Sequence, residues 1–260
     1  MPFHVIAGDV CLNDGDFLPS DIFDYYEKNR EVPTTSAINP AEYRGAYLKI
    51  REDNPECEIL HLCYSAVTTA TWQNALVGSE DLDYITHVDT KCVSAGLGNF
   101  VMHIADYYEQ HPDITVAELA EVAEKLVSRS RMMFIPDDLS YLLAGGRLSK
   151  TVYTAANLLN IKPVIQIEDG RVMSAKKYRG SIPKITIRFL KDVIQQYKFE
   201  SVFLLYSEGL SEQTKDEAEE FMKENGYNEV YWVKAGGVIS VHSGPGAIGV
   251  GGIIKGEAYG

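Results

Sequence analysis

One histidine stands where the chain changes direction. His242 follows an apolar run, residues 238–241, and precedes Gly244, Pro245 and Gly246. Glycine permits a left-handed backbone and proline fixes φ, so these residues predict a sharp turn. We expect the apolar run to form a buried strand or a short turn of helix that presents the His242 side chain to a cleft. A tight turn with an incidental histidine is the other interpretation.

Two hydroxyl-rich turns could bind an anion. Thr35 and Ser36 lie in a loop before a predicted helix, and Thr68 and Thr69 lie between a predicted strand and a helix. In an α/β sheet the second kind of turn lies at the carboxyl edge of the strand, where ligands collect. The helix that follows supplies free N–H groups. A carboxylate or a phosphate would fit, and hydrogen bonds to the local backbone are the alternative use of the hydroxyls.

A cation completes this set of polar residues. Arg147 follows two glycines, and with the hydroxyls and His242 it would form a pocket for a carboxylate or phosphate. The sequence contains no P-loop and no nucleophile elbow. An enzyme would have to use Thr69 or Ser243 beside His242, and no Asp or Glu stands out as the orienting third member. We therefore assign no catalytic residue, and a small hydrolase or phosphotransferase stays the alternative.

The composition argues against several classes of protein. The chain has 260 residues, a formal net charge of −13 and 45% hydrophobic residues. Proteins that bind nucleic acid usually present a basic face, so the acidic balance argues against that function. No run of about 18 apolar residues is present, so we expect no integral membrane association. The N-terminus lacks the pattern of a secretory signal, and a cytoplasmic location is the expectation.

The cysteines show no metal-binding pattern. Cys11, Cys57, Cys63 and Cys92 include no C-x-x-C pair, and their spacing fits no zinc template. We therefore expect reduced thiols, no metal site and no cofactor.

The first half of the chain alternates strands with helices. Strands are predicted over residues 3–7, 58–64 and 83–89, and a polar loop over 8–19. Helices are predicted over 21–28 with Ser20 as N-cap, from Pro40 with Asn39 as N-cap, over 72–76, beyond Gly98, and from 116 with Thr115 as N-cap. Three alternations imply a mostly parallel sheet. Gly96 and Gly98 lack the rest of a dinucleotide fingerprint and indicate close packing of a helix against a neighbour or an apolar ligand.

The pattern changes after Ser130. Strands are predicted over 132–136, 163–167, 171–178, 202–206 and 229–233, and helices over 138–144, 149–159, 182–197 and 211–225. Asp169-Gly170 predicts a hairpin turn between two of these strands. The expected fold is therefore α/β with two domains. Residues 1–130 would form an N-terminal, mostly parallel α/β/α domain, and residues 131–260 a C-terminal α/β domain with a mixed sheet.

Six blocks of this sequence resemble the motifs of the DegV family of bacterial fatty-acid-binding proteins, in the same order and with similar gaps. The blocks are TSAINPAEY at 35–43, SAVTTATWQNA at 65–75, VDTKCVSAGLG at 88–98, LSYLLAGGRLS at 139–149, KPVIQIEDGRV at 162–172 and HSGPGAIG at 242–249. Each block alone is a weak signal, six in this order are a strong one, and the resemblance extends over nearly the whole chain.

The resemblance implies a function in lipid binding and transport. Family members hold a long-chain fatty acid in an apolar tunnel between two α/β domains and present it to a separate kinase, which makes an acyl phosphate for phospholipid metabolism. Such a protein is a carrier rather than an enzyme, and its ligand is the fatty acid. By match to the motifs, the carboxylate ligands here are Thr35, Thr69 and His242. The residues near the head group or the partner-facing surface are Ser36, Ala70, Arg147 and Gly244.

The sequence departs from the family pattern at three places. Thr69-Ala70 stands where the family usually has Ser-Gly, so a methyl group and a Cβ crowd the head group. Ala37-Ile38 replaces Gln-Pro, and the chain begins at what resembles the family's second strand. A degenerate family member with an altered cavity is therefore the third hypothesis.

Overall fold

The structure, a computed structural model, describes residues 1–256. Its strands are β1 His4–Ala7, β2 Val10–Asn13, β3 Thr34–Ser36, β4 Ile59–Cys63, β5 Ile85–Asp89, β6 Ser130–Ile135, β7 Ile161–Glu168, β8 Arg171–Arg179, β9 Phe199–Tyr206, β10 Tyr231–Lys234 and β11 Ile248–Ile254. Its helices are α1 Pro19–Asn29, α2 Pro40–Asp53, α3 Thr71–Gly78, α4 Ser94–Gln110, α5 Val116–Val127, α6 Ser140–Ala144, α7 Lys150–Leu158, α8 Ile182–Gln196, α9 Glu212–Glu224 and α10 Gly237–Ser243.

The strands form three sheets, and the fold is α/β with parallel and mixed pairing, as predicted. A three-stranded antiparallel sheet has the order β2-β1-β3, and β4 pairs with β5 in parallel. The third sheet has the order β10-β9-β11-β6-β7-β8, with β10 and β9 parallel and the other pairs antiparallel. β6 begins beside the predicted domain boundary at residue 130. That boundary stays a prediction, and residues 257–260 lie outside the described part.

The N-terminal region differs in detail from the expected single parallel sheet. β1 turns back into β2, which lies in the segment expected to be a loop, so β1 joins a separate sheet. The parallel pair β4–β5 packs one face against α4 and α5 through Leu60, Leu62 and Val88. Its other face lies under α2 and α3, where Ile59 and Ile85 join the cluster around Tyr47.

The inner strands β6, β9 and β11 of the six-stranded sheet are largely buried on both faces, whereas the edge strand β8 is mostly exposed. Neighbouring residues on a strand point to opposite sides of the sheet. Met133 and Leu204 face α8 and α9, whereas Met132 and Leu205 face the N-terminal half of the molecule. β11 lies in the middle of this sheet, between β9 and β6. The sequence pattern predicts no strand there, because the glycines of the IGVGGII segment weaken a strand pattern.

The helix boundaries confirm two predicted caps and correct a third. Asn39 and Thr115 each accept a hydrogen bond from the backbone three residues ahead. Ser20, in contrast, is not a cap, because α1 already begins at Pro19 and the Asp21 carboxylate accepts from the Leu18 N–H. The apolar run before His242 is the short helix α10. In the described part of the chain, no helix is long and apolar enough to cross a membrane.

Candidate functional site

A cavity of about 310 Å³ lies between the small N-terminal sheets and the six-stranded sheet. Strand β3, the segment after β4 and helix α10 form its polar part. The polar residues lining it are Thr35, Ser36, Tyr64, Thr68, Thr69, Ser94, Arg147, His242 and Ser243. Strands of the large sheet and their neighbours form its apolar part, through Val93, Met132, Phe134, Ile167, Val172, Leu205, Val238 and Ile239. The four polar features that the sequence singled out therefore do line one cavity.

A hydrogen bond between Thr35 and His242 forms the centre of the polar part. The Thr35 Oγ1 lies 3.0 Å from Nε2 of His242, although the two residues are 207 positions apart. β3 holds Thr35 opposite Val5 of β1, and α10 packs against both strands. The fold thus brings the first and the last predicted site residues into direct contact.

The His242 imidazole is neutral at pH 7. Burial, together with the nearby Arg147 guanidinium, lowers the pKa of His242 from 6.5 to about 4. Nδ1 is buried without a hydrogen-bond partner among the described residues, and it faces Gly145. A bare ring nitrogen fits this place better than an N–H that would lack an acceptor. We therefore assign the proton to Nε2, which donates to Thr35 Oγ1 and leaves the Thr35 hydroxyl hydrogen free to donate to a ligand.

Helix α10, which carries His242, is anchored by a residue that the sequence analysis did not identify. The Asp14 carboxylate accepts hydrogen bonds from the N–H groups of Gly237 (2.6 Å) and Val238 (3.0 Å), at the start of the helix. A carboxylate is favourable there because the first N–H groups of a helix have no intrahelical partner. The sequence offers no signal for this contact, since more than two hundred residues separate the partners.

In the turn after β4, the Thr68 hydroxyl bonds to the local backbone, whereas the Thr69 hydroxyl lines the cavity. Thr68 Oγ1 donates to the carbonyl of Ser65 at 3.0 Å, which is the local use that the sequence left open. Thr69 Oγ1 accepts a long hydrogen bond, 3.4 Å, from the Thr71 N–H at the start of α3, and it lines the cavity. Ala70 lines the cavity beside it, at the position that precedes the helix.

Arg147 closes the rim of the cavity. Its guanidinium donates to the carbonyls of Gly145 (2.6 Å) and Thr68 (3.1 Å), which ties the segment after α6 to the segment after β4. Arg147 is the charged residue among the described residues that line the cavity, and its side chain is exposed. The arginine therefore has a structural role and also contributes positive potential at the polar end.

The remaining predicted residues lie near this centre with different surroundings. The Ser36 hydroxyl donates weakly to the Ala37 carbonyl at 3.4 Å, and both residues line the cavity. Gly244 ends α10 with φ of +69° and lies against the Tyr141 ring, where a Cβ would approach to 2.8 Å. Ser243 is buried, and its hydroxyl donates to the Gly244 carbonyl.

The geometry does not resemble an activated nucleophile. Within residues 1–256, the hydroxyl bonded to the His242 ring belongs to Thr35, not to Thr69 or Ser243, and no carboxylate orients Nδ1. A catalytic triad requires such an orienting group. The arrangement instead offers hydroxyl donors and a cation at one end of an apolar space, which suits an amphipathic ligand with an anionic head group.

Comparison with known proteins identifies relatives along the whole chain. A family model described as "Uncharacterised protein, DegV family" matches residues 1–255. A DegV domain-containing protein from Streptococcus pyogenes is 29% identical over 266 residues, covering 95% of this chain and 89% of that protein.

Solved structures show the same fold. A DegV family protein from Thermus thermophilus, described for its fatty-acid binding, superposes with a TM-score of 0.84 at 23% identity, covering 98% of this chain and 91% of the other. The Fatty Acid Kinase (Fak) B3 protein of Streptococcus pneumoniae, loaded with linoleic acid, superposes with a TM-score of 0.84 at 18% identity. That match covers 98% of this chain and 90% of the other.

Proposed function

The chain belongs to the DegV family, and from this premise we propose that it binds a long-chain fatty acid with the carboxylate at the polar end of the cavity. The observation that carries the proposal is the Thr35–His242 hydrogen bond at one end of a largely apolar cavity. A carboxylate removed from water needs hydrogen-bond donors. The Thr35 hydroxyl, polarised by the imidazole N–H, supplies the first of them.

Further groups around this hydroxyl complete the head-group site. We assign a second donor to Thr69, whose side chain lines the same end of the cavity. Arg147 adds a positive charge at the rim. Ser36 and Ala70 form the walls, and Gly244 supports the helix end that carries His242.

The acyl chain occupies the apolar part of the cavity. Each CH₂ group that leaves water contributes about 0.8 kcal/mol, so a long chain supplies most of the affinity. The cavity of about 310 Å³ is near the lower end of the range of roughly 300–1,000 Å³ for small-molecule sites. A long acyl chain therefore requires the cavity to lengthen into a tunnel along Met132 and Phe134. The flexible methionine side chain adapts readily to such a change of shape.

The bound fatty acid is presented to a separate kinase in the cytoplasm. This part of the proposal rests on the likeness to the Fatty Acid Kinase (Fak) B3 protein. Phosphoryl transfer requires sites for ATP and Mg²⁺, and this sequence has no P-loop. The chain itself is then a carrier, and the exposed Arg147 at the cavity rim lies where a partner would reach the carboxylate.

Native mass spectrometry of the freshly purified protein tests the proposal directly. We expect a mass increment that corresponds to about one fatty acid per protein molecule. Release of this ligand by denaturation should then identify its chain length. If the protein is empty and takes up no added fatty acid, the carrier function is excluded. The hypotheses of a degenerate family member or an enzyme would then be favoured.

Replacing the hydroxyls tests the carboxylate site. Thr35→Val and Thr69→Val keep the side-chain shape and remove one donor each. Loss of a hydrogen bond to a charged group costs about 1.5–3 kcal/mol, so we expect fatty-acid affinity to fall roughly 10- to 100-fold. Thr34→Val is the matched control, because Thr34 is the exposed neighbour on β3 and does not line the cavity. Unchanged occupancy in the Thr35→Val, Thr69→Val double variant would show that the carboxylate assignment is wrong.

A further inference from the structure

A cluster of three metal-binding side chains lies outside the cavity, on the parallel strand pair. His61 of β4 is the register partner of His87 of β5, and Cys63 lies two residues beyond His61. Side chains two residues apart on a strand point to the same face of a sheet. The three side chains therefore converge on the face covered by α2 and α3.

The two distances from the Cys63 sulfur to the histidine nitrogens are close to those of a tetrahedral metal site. The Cys63 Sγ lies 3.3 Å from Nδ1 of His61 and 3.8 Å from Nδ1 of His87. All three ligand atoms lie within 4.8 Å of one another. A zinc ion with bonds of about 2.3 Å to sulfur and about 2.0–2.1 Å to nitrogen places those two atoms about 3.6 Å apart at the tetrahedral angle. We propose that His61, Cys63 and His87 bind one Zn²⁺ ion.

The environment of His87 fixes the tautomer that a metal needs. The Ser79 hydroxyl donates to the Ala75 carbonyl at 2.9 Å, so it accepts from Nε2 of His87, which lies 2.8 Å away. The ring proton is then on Nε2, and the lone pair of Nδ1 points toward Cys63. A ligating histidine commonly donates its other N–H to such a partner, which orients the ring.

His61 is the third ligand, and a tyrosine lies beside it. The Tyr47 hydroxyl lies 2.7 Å from Nδ1 of His61, on the side of the ring that Cys63 also contacts. Coordination of zinc by Nδ1 would replace this contact with Tyr47, and a water molecule would take the fourth position. Histidine binds a metal ion through a neutral ring nitrogen. On binding, the Cys63 thiol becomes a thiolate bound to Zn²⁺ and its proton leaves to solvent.

No metal site is predicted from the sequence, because metal-binding motifs are recognised by the spacing of their ligands along one stretch of chain. Here two ligands come from one strand and the third comes from its neighbour, so no C-x-x-C or similar pattern arises. Thiolate and imidazole are ligands that favour zinc over magnesium or calcium. The three ligands do not line the fatty-acid cavity, although Cys63 is followed directly by Tyr64, which does.

Metal titration of the full chain tests the proposal. The protein is treated with a chelator, and Zn²⁺ is then added in competition with a chromophoric chelator. We expect uptake of one equivalent, and Co²⁺ in its place should give a thiolate-to-metal charge-transfer band. No uptake, or uptake of Co²⁺ without that band, would overturn the site.

Variants assign the ligands. Cys63→Ser and His87→Gln should each weaken Zn²⁺ binding by at least about 100-fold, and Ser79→Ala by about 10- to 100-fold, since loss of a partner that orients a ligand has that effect. Cys57→Ser and His111→Gln are the controls, because both residues lie outside the cluster. Loss of binding in a control, with binding retained in Cys63→Ser, would contradict the proposal. If Cys63→Ser does not fold, X-ray absorption of the zinc-loaded natural chain decides, since the site requires one sulfur and at least two nitrogen neighbours.

Discussion

The direction of the hydrogen bond between Thr35 and His242 decides which head group the cavity accepts. With the ring proton on Nε2, Thr35 is an acceptor toward His242 and a donor toward the cavity. A neutral ring with a bare Nδ1 against Gly145 adds no charge, so the positive potential comes from Arg147. These groups favour an anionic head group that accepts hydrogen bonds, as a carboxylate does.

Gly145 sets the position of the His242 ring, and its replacement should weaken ligand binding. A Cβ at this residue would lie 2.6 Å from Nδ1 and 3.0 Å from Cε1 of His242. The Gly145 backbone is helical, with φ of −71°, so alanine brings no backbone strain. We expect Gly145→Ala to displace the ring and to lower fatty-acid affinity about tenfold, the equivalent of one hydrogen bond. Isothermal titration with a delipidated protein measures the change.

The neighbouring glycine provides the matched control. Gly146 has φ of +71°, and nothing lies within 4 Å of a Cβ placed there. Gly146→Ala should therefore destabilise the fold by about 1–2 kcal/mol, through backbone strain, without moving His242. Equal losses of affinity in both variants would contradict the role assigned to Gly145.

Short elements whose stabilising contacts come from residues distant in sequence are the hardest to predict. The sequence predicted helices with a strong local cap, such as those that begin after Asn39 and Thr115, because the cap and the apolar face are close in sequence. The sequence does not decide between strand and helix for α10. The residue that caps the N-terminus of this helix is Asp14, which lies at the other end of the chain. Seven residues alone carry too little periodicity to decide.

Strand β11 shows a second physical reason for a missed element. Its glycines allow close packing that no side chain would permit: a Cβ at Gly251 would lie 2.5 Å from the Gly96 N of α4. The close packing expected of Gly96 is therefore confirmed, and its neighbouring strands are β6 and β11. In sequence the same glycines look like a loop, because glycine has a low strand propensity.

Removing the carboxylate that caps α10 should loosen the helix that carries His242. Asp14→Ala leaves the N–H groups of Gly237 and Val238 without their acceptor. Loss of an N-terminal cap costs about 1 kcal/mol, up to about 2, which lowers the unfolding temperature by roughly 2–4 °C per kcal/mol. We expect fatty-acid affinity to fall as well. Thermal unfolding and ligand titration measure the two effects.

The control for this prediction is a nearby acidic residue. Asp16 is exposed and accepts a hydrogen bond from the Asn13 side chain, so it belongs to the same loop without touching α10. Asp16→Ala should leave ligand affinity unchanged. If Asp14→Ala binds as tightly as Asp16→Ala, then α10 does not depend on this cap for its position.

The whole molecule assembles the polar end from four distant segments. Thr35, Thr69, Arg147 and His242 come from β3, the turn after β4, the segment after α6 and α10. Their residue types and family motifs predicted that they would meet, although Thr35 and Ser36 lie in strand β3 rather than in the loop expected before α2. The sequence could not predict the partner of each side chain, since hydrogen bonds such as Thr35 to His242 depend on packing between elements rather than on local pattern.

Two partly buried, neutral histidines should make the stability of the whole molecule sensitive to mild acid. The pKa values of His242 and His61 are lowered from 6.5 to about 4, in each case chiefly by burial. A group whose pKa is lower in the folded chain binds protons better when unfolded, so its contribution is complete above about pH 6.5 and is lost as pH falls toward 4. Each imidazole should then reduce the free energy of unfolding by up to about 1.4 kcal/mol per pH unit in that window.

Urea unfolding of the ligand-free, chelator-treated protein between about pH 6.5 and 5 measures this slope, in a range above the titration of most carboxylates. We expect His242→Gln to remove one imidazole's share of the slope and His61→Gln a second. His111→Gln is the control, because that ring is exposed and stacks on Tyr107 at the surface. The slope is the decisive quantity, since each variant also changes the absolute stability. A slope that stays the same in His242→Gln would mean that folding does not lower the pKa of this ring, and it would contradict the neutral imidazole assigned to the site.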